Sequence, residues 1–370
     1  MKILQLIPNI SPGGAERIVV DLSNELAKKH DVILSTLYDK HADDLFREQI
    51  IDKVQTITLG KRLGFDLQVI FRLYKVIKKI RPDIIHTHLR GLNYLMPLIP
   101  FLGKVPIVHT VHNDAYQECQ NSKIRRVRKY FFENKKIFPV TISKASAKSF
   151  KEAYGEELDI LIYNGRETPT KTNKYNHVSK ELESYKKNSD SRIFINIGRQ
   201  EKQKNQLMLV EAFKQLIIKD NANAILIIIG GGRNSKSSLA IQKQLKKVNG
   251  NIYLLGEKKN TTDYLLASDF FCLSSLFEGM PITLIEAFAT ETIPISTSVG
   301  GITEMISELD DSLLSEEVDL SSYYEALKRA YFLSEETERN LKAKAKQLFT
   351  SKYSIEQCST QYLNLYLKLI

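Results

Sequence analysis

The sequence predicts an α/β protein of two Rossmann-like domains whose parallel sheets face a central cleft, and three observations carry that prediction. Short apolar runs alternate with longer amphipathic stretches along most of the chain, the pattern of β-loop-α units feeding a parallel sheet. The alternation lapses between Glu167 and Asp190 into Thr, Asn, Lys, Ser and Glu, and then restarts. The chain is also long enough for two cores, with 370 residues of which 43% are hydrophobic and 26% charged.

Ile3–Ile7 reads as a buried strand, followed by the turn Ser11–Gly14 and a helix from about Ala15 to Lys29 that aligns Ile18, Val19, Leu22 and Leu26. Asp31–Thr36 is a second strand, Leu67–Ile80 an amphipathic helix, and Asp83–His88 a strand entered from the break at Pro82. Pro106–Val111 and Phe138–Ile142 follow as strands. After the lapse, strands at Arg192–Ile197, Ala224–Ile229, Asn251–Leu255, Asp269–Leu273 and Thr292–Ser296 alternate with helices at about 204–218, 237–248, 261–267 and 283–289. A helix near Ile355–Leu369 ends the series. The lapse divides the chain into an N-terminal domain, 1–170, and a C-terminal domain, 171–354. Ligands of open parallel sheets sit beyond the carboxyl ends of the strands, so function is sought in the loops that leave them.

Composition narrows the classes of function. Met1–Pro8 is too short an apolar run for a signal peptide, and three breakers and a lysine keep Tyr94–Lys104 short of a spanning helix. Cys119, Cys272 and Cys358 lack metal-ligand spacing and read as buried thiols in a reducing compartment. The net charge of +10 is uneven: residues 1–170 hold 27 Lys and Arg against 19 Asp and Glu. Such a field suits nucleic acid, an anionic membrane surface or a phosphorylated substrate, and charge alone does not choose. No aromatic residues are regularly interleaved with the basic run Lys123–Phe132, which argues against nucleic acid. Its apolar stripe Ile124, Val127 and Phe131 among cations suits either an interfacial helix or a helix packed on a sheet.

The most informative stretch is Ser275–Phe288, which sets Glu278 and Glu286 eight positions apart around the turn Gly279-Met280-Pro281-Ile282. Pro281 suits a helix start, where free backbone N–H groups favour anionic or hydroxyl oxygens. Glu286, about two turns on, returns near the same face. Two carboxylates so placed suit a long polyhydroxylated ligand, although the same spacing occurs on solvated helices. Gly198-Arg199 leaves the first strand after the lapse and Lys204 opens the next helix, a fork and a point charge suited to a diphosphate or simply a solvated basic loop. Gly13-Gly14 supplies backbone that a phosphate or sugar can approach, or a plain turn. No Gly-x-Gly-x-x-Gly follows the first strand, which counts against a nicotinamide dinucleotide.

Taken in order, Pro12–Glu16, Arg81–His88, His109–Asn113, Ser143-Lys144, Ile162–Gly165, Gly198-Arg199 with Lys204–Gln206, Ile229–Gly232, Leu254–Gly256, Ala267–Asp269, Glu278-x7-Glu286 and Val299–Glu304 resemble the motifs of family-4 glycosyltransferases over nearly the whole chain. These are retaining enzymes of the GT-B fold used in bacterial surface polysaccharide synthesis, capsule or O-antigen. The resemblance implies a nucleoside diphosphate sugar on the C-terminal domain, with Arg199 and Lys204 neutralising the diphosphate and Glu286 holding the ribose hydroxyls. Glu278 and the backbone of Gly279, Met280, Pro281 and Ile282 would grip the transferred sugar beside Gly198. Gly13, Gly14 and His112 would approach from the N-terminal domain, where His86, His88 and His109 read as structural and His112 itself has a core reading too. The resemblance further implies an acceptor-binding N-terminal domain to which the last helix, about 355–370, crosses back.

It implies front-face transfer without a cofactor, and the absence of Asp-x-Asp favours a metal-independent reaction. The acceptor would be a lipid-linked or growing polysaccharide, and the location cytoplasmic, in peripheral contact with the anionic inner face of the cytoplasmic membrane. Two other readings stand beside this one: a non-catalytic glycosyltransferase-like partner subunit, and a sugar-nucleotide epimerase of the same fold. The chain departs from the family pattern at Glu291, where a glycine is usual.

Overall fold

The computed structural model describes residues 1–39, 46–64, 66–155, 158–231, 236–245 and 250–370. Gly232, and residues 246–248 of the helix expected at 237–248, lie outside the described residues. The chain forms two compact units, Met1–Glu167 with Lys352–Ile370, and Thr168–Ser351.

The first unit is built on a parallel sheet of β1 (Lys2–Ile7), β2 (Asp31–Thr36), β3 (Gln55–Thr58), β4 (Ile84–His88), β5 (Ile107–Val111), β6 (Phe138–Thr141) and β7 (Ile160–Leu161), in the order β3-β2-β1-β4-β5-β6-β7. A central strand such as β1 reads as a near-continuous apolar run because helices cover both faces of the sheet. One face buries Leu4, Leu6, Ile85 and Ile107 against Leu73, Leu95, Phe132 and Phe150. The other buries Ile3, Ile7, Ile84 and Val108 against Val19, Leu22 and Leu26 of the helix Gly14–Ala27 and against the terminal helix Ile355–Leu369. That terminal helix presents Ile355, Cys358, Tyr362, Leu365 and Tyr366 at helical spacing, which binds the chain's last segment into the first unit.

The second unit repeats the plan with β8 (Arg192–Ile197), β9 (Ala224–Ile229), β10 (Ile252–Gly256), β11 (Phe270–Leu273), β12 (Ile293–Thr297) and β13 (Leu314–Ser315), in the order β10-β9-β8-β11-β12-β13, again all parallel. The strand order reverses between β1 and β4 in one unit and between β8 and β11 in the other. Those switch points are where loops diverge and leave room for a ligand.

Among the differences from expectation, three have a plain physical reason. The polar lapse contains a helix, Tyr175–Tyr185, which needs only Val178 and Leu182 to anchor it. β3 is a polar edge strand that no apolar pattern marks. In the basic helix Ser122–Glu133 the buried residues are Arg128 and Phe132, while Val127 of the expected stripe is 47% exposed. The helix is rotated by Arg128, whose guanidinium turns inward to the Asn93 side chain at 2.9 Å and to Glu118 at 3.5 Å. Among the described residues no helix is long and apolar enough to cross a membrane.

Candidate functional site

In the second unit the loops leaving β8 and β11, the strands at the switch point, are stitched together. Ser274 donates to the Lys204 carbonyl at 2.8 Å, Leu276 N–H to the Gln203 carbonyl at 2.8 Å, and Gln203 Nε2 to the Phe277 carbonyl at 2.9 Å. Gln206 braces the β8 loop from behind by donating to Asn196 and to the Gly198 carbonyl, each at 3.0 Å. The β11 loop is tied onward, with Thr297 donating to the Ser275 carbonyl at 2.7 Å and Gly301 N–H to the Gly279 carbonyl at 3.0 Å.

These ties bring Lys204 and Glu278 together. Lys204 Nζ lies 2.5 Å from Glu278 Oε1, and Ser275 Oγ donates to the same oxygen at 2.7 Å, so neither bond uses Oε2. Both side chains are largely shielded, which strengthens their field on anything beside them. Backbone approaches closely around them. A Cβ on Gly300, at φ +52°, would stand 1.9 Å from the Glu278 carbonyl oxygen, and one on Gly230 would stand 1.8 Å from that of Gly198. Only glycine permits either packing.

Arg199 is not part of that pair. Its side chain is 60% exposed and meets Glu201 at 3.1 Å. Gly198 packs against the aliphatic stem of Lys204. Gly279, Met280, Pro281 and Ile282 are buried, and Pro281 is the N-cap of the helix Ile282–Ala289, which carries half-buried Glu286. Ser275 and Gln206 fell within the motifs read from the sequence but were given no role, and Gln203 was not named. Their proximity in sequence to Glu278 and Lys204 was the available signal.

The helix exit after Glu286 holds Glu291 at φ +59°, in the left-handed region where a glycine is usual. Its carboxylate is exposed and only 3.9 Å from Lys346, too weak a pair to offset the strain. Glu291→Gly is therefore expected to stabilise the protein by about 1 kcal/mol, read as a higher urea midpoint at unchanged m-value.

In the first unit, Gly13 is the N-cap of the helix Gly14–Ala27, in extended backbone, and Gly14 is exposed at its first position. His112 leaves β5 and is buried. Its backbone N–H donates to Glu118 Oε2 at 2.7 Å, its Nε2 lies 3.0 Å from His88 Nδ1, and among the described residues its Nδ1 has no hydrogen-bond partner. His88 Nε2 in turn lies 2.8 Å from Gln5 Oε1. His86 bonds Thr110 and Tyr366, while His109 bonds Glu118 at 2.9 Å. Burial, partly opposed by the Glu118 charge, lowers His112 to about 4. Burial alone would raise Glu118, but the His109 hydrogen bond and the Arg128 charge outweigh it and hold the carboxyl at about 2. These groups bond pairwise, and among the described residues no group of three could hold a metal ion. Glu118 escaped notice because nothing in a lone acid six positions after a histidine marks it as buried.

Each unit is thus a doubly wound parallel sheet, and a charged pair lies shielded over bare backbone at the switch point of the second, where such sheets bind a ligand. The family model for Glycosyl transferases group 1 matches residues 178–348 and that for Glycosyltransferase Family 4 matches residues 12–168. The chain belongs to this glycosyltransferase family. It is 30% identical over 75% of its length to an Escherichia coli UDP-Gal:α-D-GlcNAc-diphosphoundecaprenol α-1,3-galactosyltransferase, 73% of which is covered. It is 25% identical to the Staphylococcus aureus capsular polysaccharide biosynthesis glycosyltransferase CapH, over 89% of this chain and 90% of that protein. In fold it resembles Anabaena HepE, solved with UDP-glucose, with a TM-score of 0.82 at 18% identity over the full length of both.

Proposed function

We propose that this glycosyltransferase moves a sugar, with retention of configuration, from a nucleoside diphosphate sugar to a hydroxyl of a lipid-linked or growing surface polysaccharide. The observation that carries the reading is the Lys204–Glu278 pair, a cation and a carboxylate held 2.5 Å apart at the switch point. Lys204 meets the diphosphate and stabilises the charge that grows as the glycosidic bond breaks. Arg199 joins it by leaving Glu201, which costs little because exposed ion pairs are worth about 1 kcal/mol or less. Together they supply the positive charge a divalent cation would otherwise bring, so the reaction proceeds without metal or other cofactor. Glu278 accepts from sugar hydroxyls through Oε2, the backbone of Gly279 to Ile282 lines the same pocket with Gly198, and Glu286 accepts from the ribose. Gly13, Gly14 and His112 are the proposed contacts from the first unit. Positioning and electrostatics, rather than a covalent enzyme intermediate, supply the rate. The Escherichia coli relative, named for a UDP-sugar donor and a diphosphoundecaprenol-linked acceptor, supports the donor and acceptor classes.

The test supplies a panel of nucleoside diphosphate sugars with a polyprenyl-diphosphate-linked glycan and follows nucleotide release and the anomeric configuration of the product. An inverted linkage refutes retention. Release that needs no acceptor and yields a rearranged sugar points to an epimerase.

An acceptor of this kind places the protein at the inner face of the cytoplasmic membrane. The helix Leu67–Ile80 offers the contact better than the basic helix does. It carries Arg72, Lys75, Lys78 and Lys79 and no acid, and Phe71, 68% exposed, shares its outer face with exposed Leu67. Leu63 just before it is 95% exposed. Cations beside unburied apolar groups fit an anionic bilayer. Phosphatidylglycerol vesicles should co-sediment the protein, and Leu67→Ser with Phe71→Ser should cut binding about tenfold or more, since each side chain is worth roughly 1.5–3 kcal/mol when buried. Equal sedimentation of the double variant would clear this face of the role.

A further inference from the structure

In the second unit two buried amides cross the switch point between β8 and β11: Asn196 on β8, and Gln206 at the start of the helix Gln206–Lys219. Asn196 Nδ2 donates to the Cys272 carbonyl of β11 at 2.8 Å, and Gln206 Nε2 donates to Asn196 Oδ1 and to the Gly198 carbonyl, each at 3.0 Å. Backbone alone fixes both orientations. A carbonyl only accepts, so Asn196 turns its nitrogen to Cys272 and its oxygen to Gln206, which must then present its own nitrogen to two oxygens. Both N–H groups of the Gln206 amide are thereby used, and among the described residues its buried Oε1 has no hydrogen-bond partner. A stranded buried acceptor costs stability, so the amide is kept for what its nitrogen does to Gly198.

Successive residues of a strand send their backbone groups to opposite sides. Gly198 continues β8 and faces β9: its N–H donates to the Ile229 carbonyl at 2.9 Å, and its own carbonyl oxygen would lie 1.8 Å from a Cβ on Gly230. The peptide that follows is planar and trans, so the N–H of Arg199 points the other way, to the β11 side where the crevice opens. Gln200 then returns to the β9 side, its N–H donating to the Gly231 carbonyl at 2.7 Å. Among the described residues the Arg199 N–H meets no acceptor. We propose that this N–H donates to the diphosphate of the sugar nucleotide, and that Gln206 and Asn196 are positioning residues that aim it. Its role as a phosphate ligand rests on the reading of the second unit as the donor site. The guanidinium of the same residue is 60% exposed and engaged with Glu201, whereas the N–H is fixed before any ligand arrives. Without the grip of Gln206 on the Gly198 carbonyl, the peptide is free to turn that oxygen into the crevice, where it repels phosphate.

Titration of the wild-type protein with UDP, GDP and ADP, followed by calorimetry and by ¹H–¹⁵N spectra, tests both parts. With the nucleotide that binds best, the Arg199 amide proton should move downfield and show a coupling to phosphorus across the hydrogen bond. This measurement needs no variant to fold. Binding without that signature overturns the proposal and leaves the donor site standing. Binding of none of the three refutes the donor-site reading itself, and the proposal with it. Gln206→Met removes both donors at similar volume. It should raise the Kd of that nucleotide about tenfold, the size of one hydrogen bond to a charged group, and abolish the Arg199 coupling, with the melting temperature close to wild type. A Gln206 that serves only the fold would lower the melt and leave the Arg199 signature in place. That result, a variant that does not fold, or wild-type affinity in Gln206→Met would each overturn the positioning role.

Discussion

Lys204→Ala should lower kcat by about 10²- to 10³-fold, the loss seen when one preorganised electrostatic group is removed from a site where charge develops, while the fold persists. The side chain sits beyond the carboxyl end of β8, and among the described residues its ammonium bonds Glu278 alone. The loop that carries it is held by backbone and by Ser274 and Gln203, none of which the substitution touches. Glu278 keeps its Ser275 bond at 2.7 Å, so the shielded carboxylate is not stranded without a donor. The effect should fall on turnover more than on KM, because Lys204 acts most strongly on charge that appears as the leaving group departs. Lys204→Arg should recover only part of the rate, since a planar fork cannot occupy the place of a compact ammonium 2.5 Å from Glu278. Steady-state kinetics beside a melting curve decides the matter. A wild-type rate in Lys204→Ala removes the pair from the reaction, and a collapsed melt assigns it to the fold.

The parallel sheets were legible because their strands are buried on both faces. A run such as Ala224–Ile229 has nowhere to go but the centre of a covered sheet. Lys204 and Glu278 were legible as neighbours only through motif order, since 74 residues separate them and no periodicity links the two loops. Arg199 shows the limit of such reading. An exposed guanidinium takes the nearest carboxylate, and Glu201 is two residues away. The helix Tyr175–Tyr185 was hidden because two apolar anchors suffice when a neighbouring helix, Thr261–Leu266, packs against it. The inward turn of Arg128 was hidden too. Its reason, Glu118, is ten residues off on another helix, and a charge run ordinarily marks a solvated face. Glu291 was legible as a departure from the usual glycine, and φ +59° shows that the chain keeps the left-handed backbone there at a cost in strain.

The buried histidines make the first unit sensitive to acid well above the range where carboxylates matter. His86, His88, His109 and His112 are all buried, and burial lowers each of them. In the folded state burial favours the neutral ring, whereas in the unfolded chain each takes up a proton below about 6.5. A depressed histidine contributes stability that is complete above the unfolded value and is lost as pH falls towards the folded one, about 4 for His112. Each such ring costs roughly 1.4 kcal/mol per pH unit inside that window. His86 and His88, driven well below their ordinary value by burial, act in the same sense, and His109 does so less because Glu118 opposes its shift, so the loss draws on a domain stability of only about 5–15 kcal/mol. Glu118 acts in the same direction but lower, since its contribution is full above about 4.5 and disappears only towards 2. Acid lability should therefore begin near pH 6 and concentrate in the first unit. Hydrogen exchange of the segment 84–112 should accelerate steeply from pH 7 to 5, after correction for intrinsic rates, while β8 and β9 remain protected. His86→Gln, which can still bond Thr110 and Tyr366 but does not titrate, should shift the onset of lability to lower pH. Uniform protection of both units down to pH 5 would mean that these rings accept protons in place, and that the hydrogen bonds drawn for them as neutral groups are wrong.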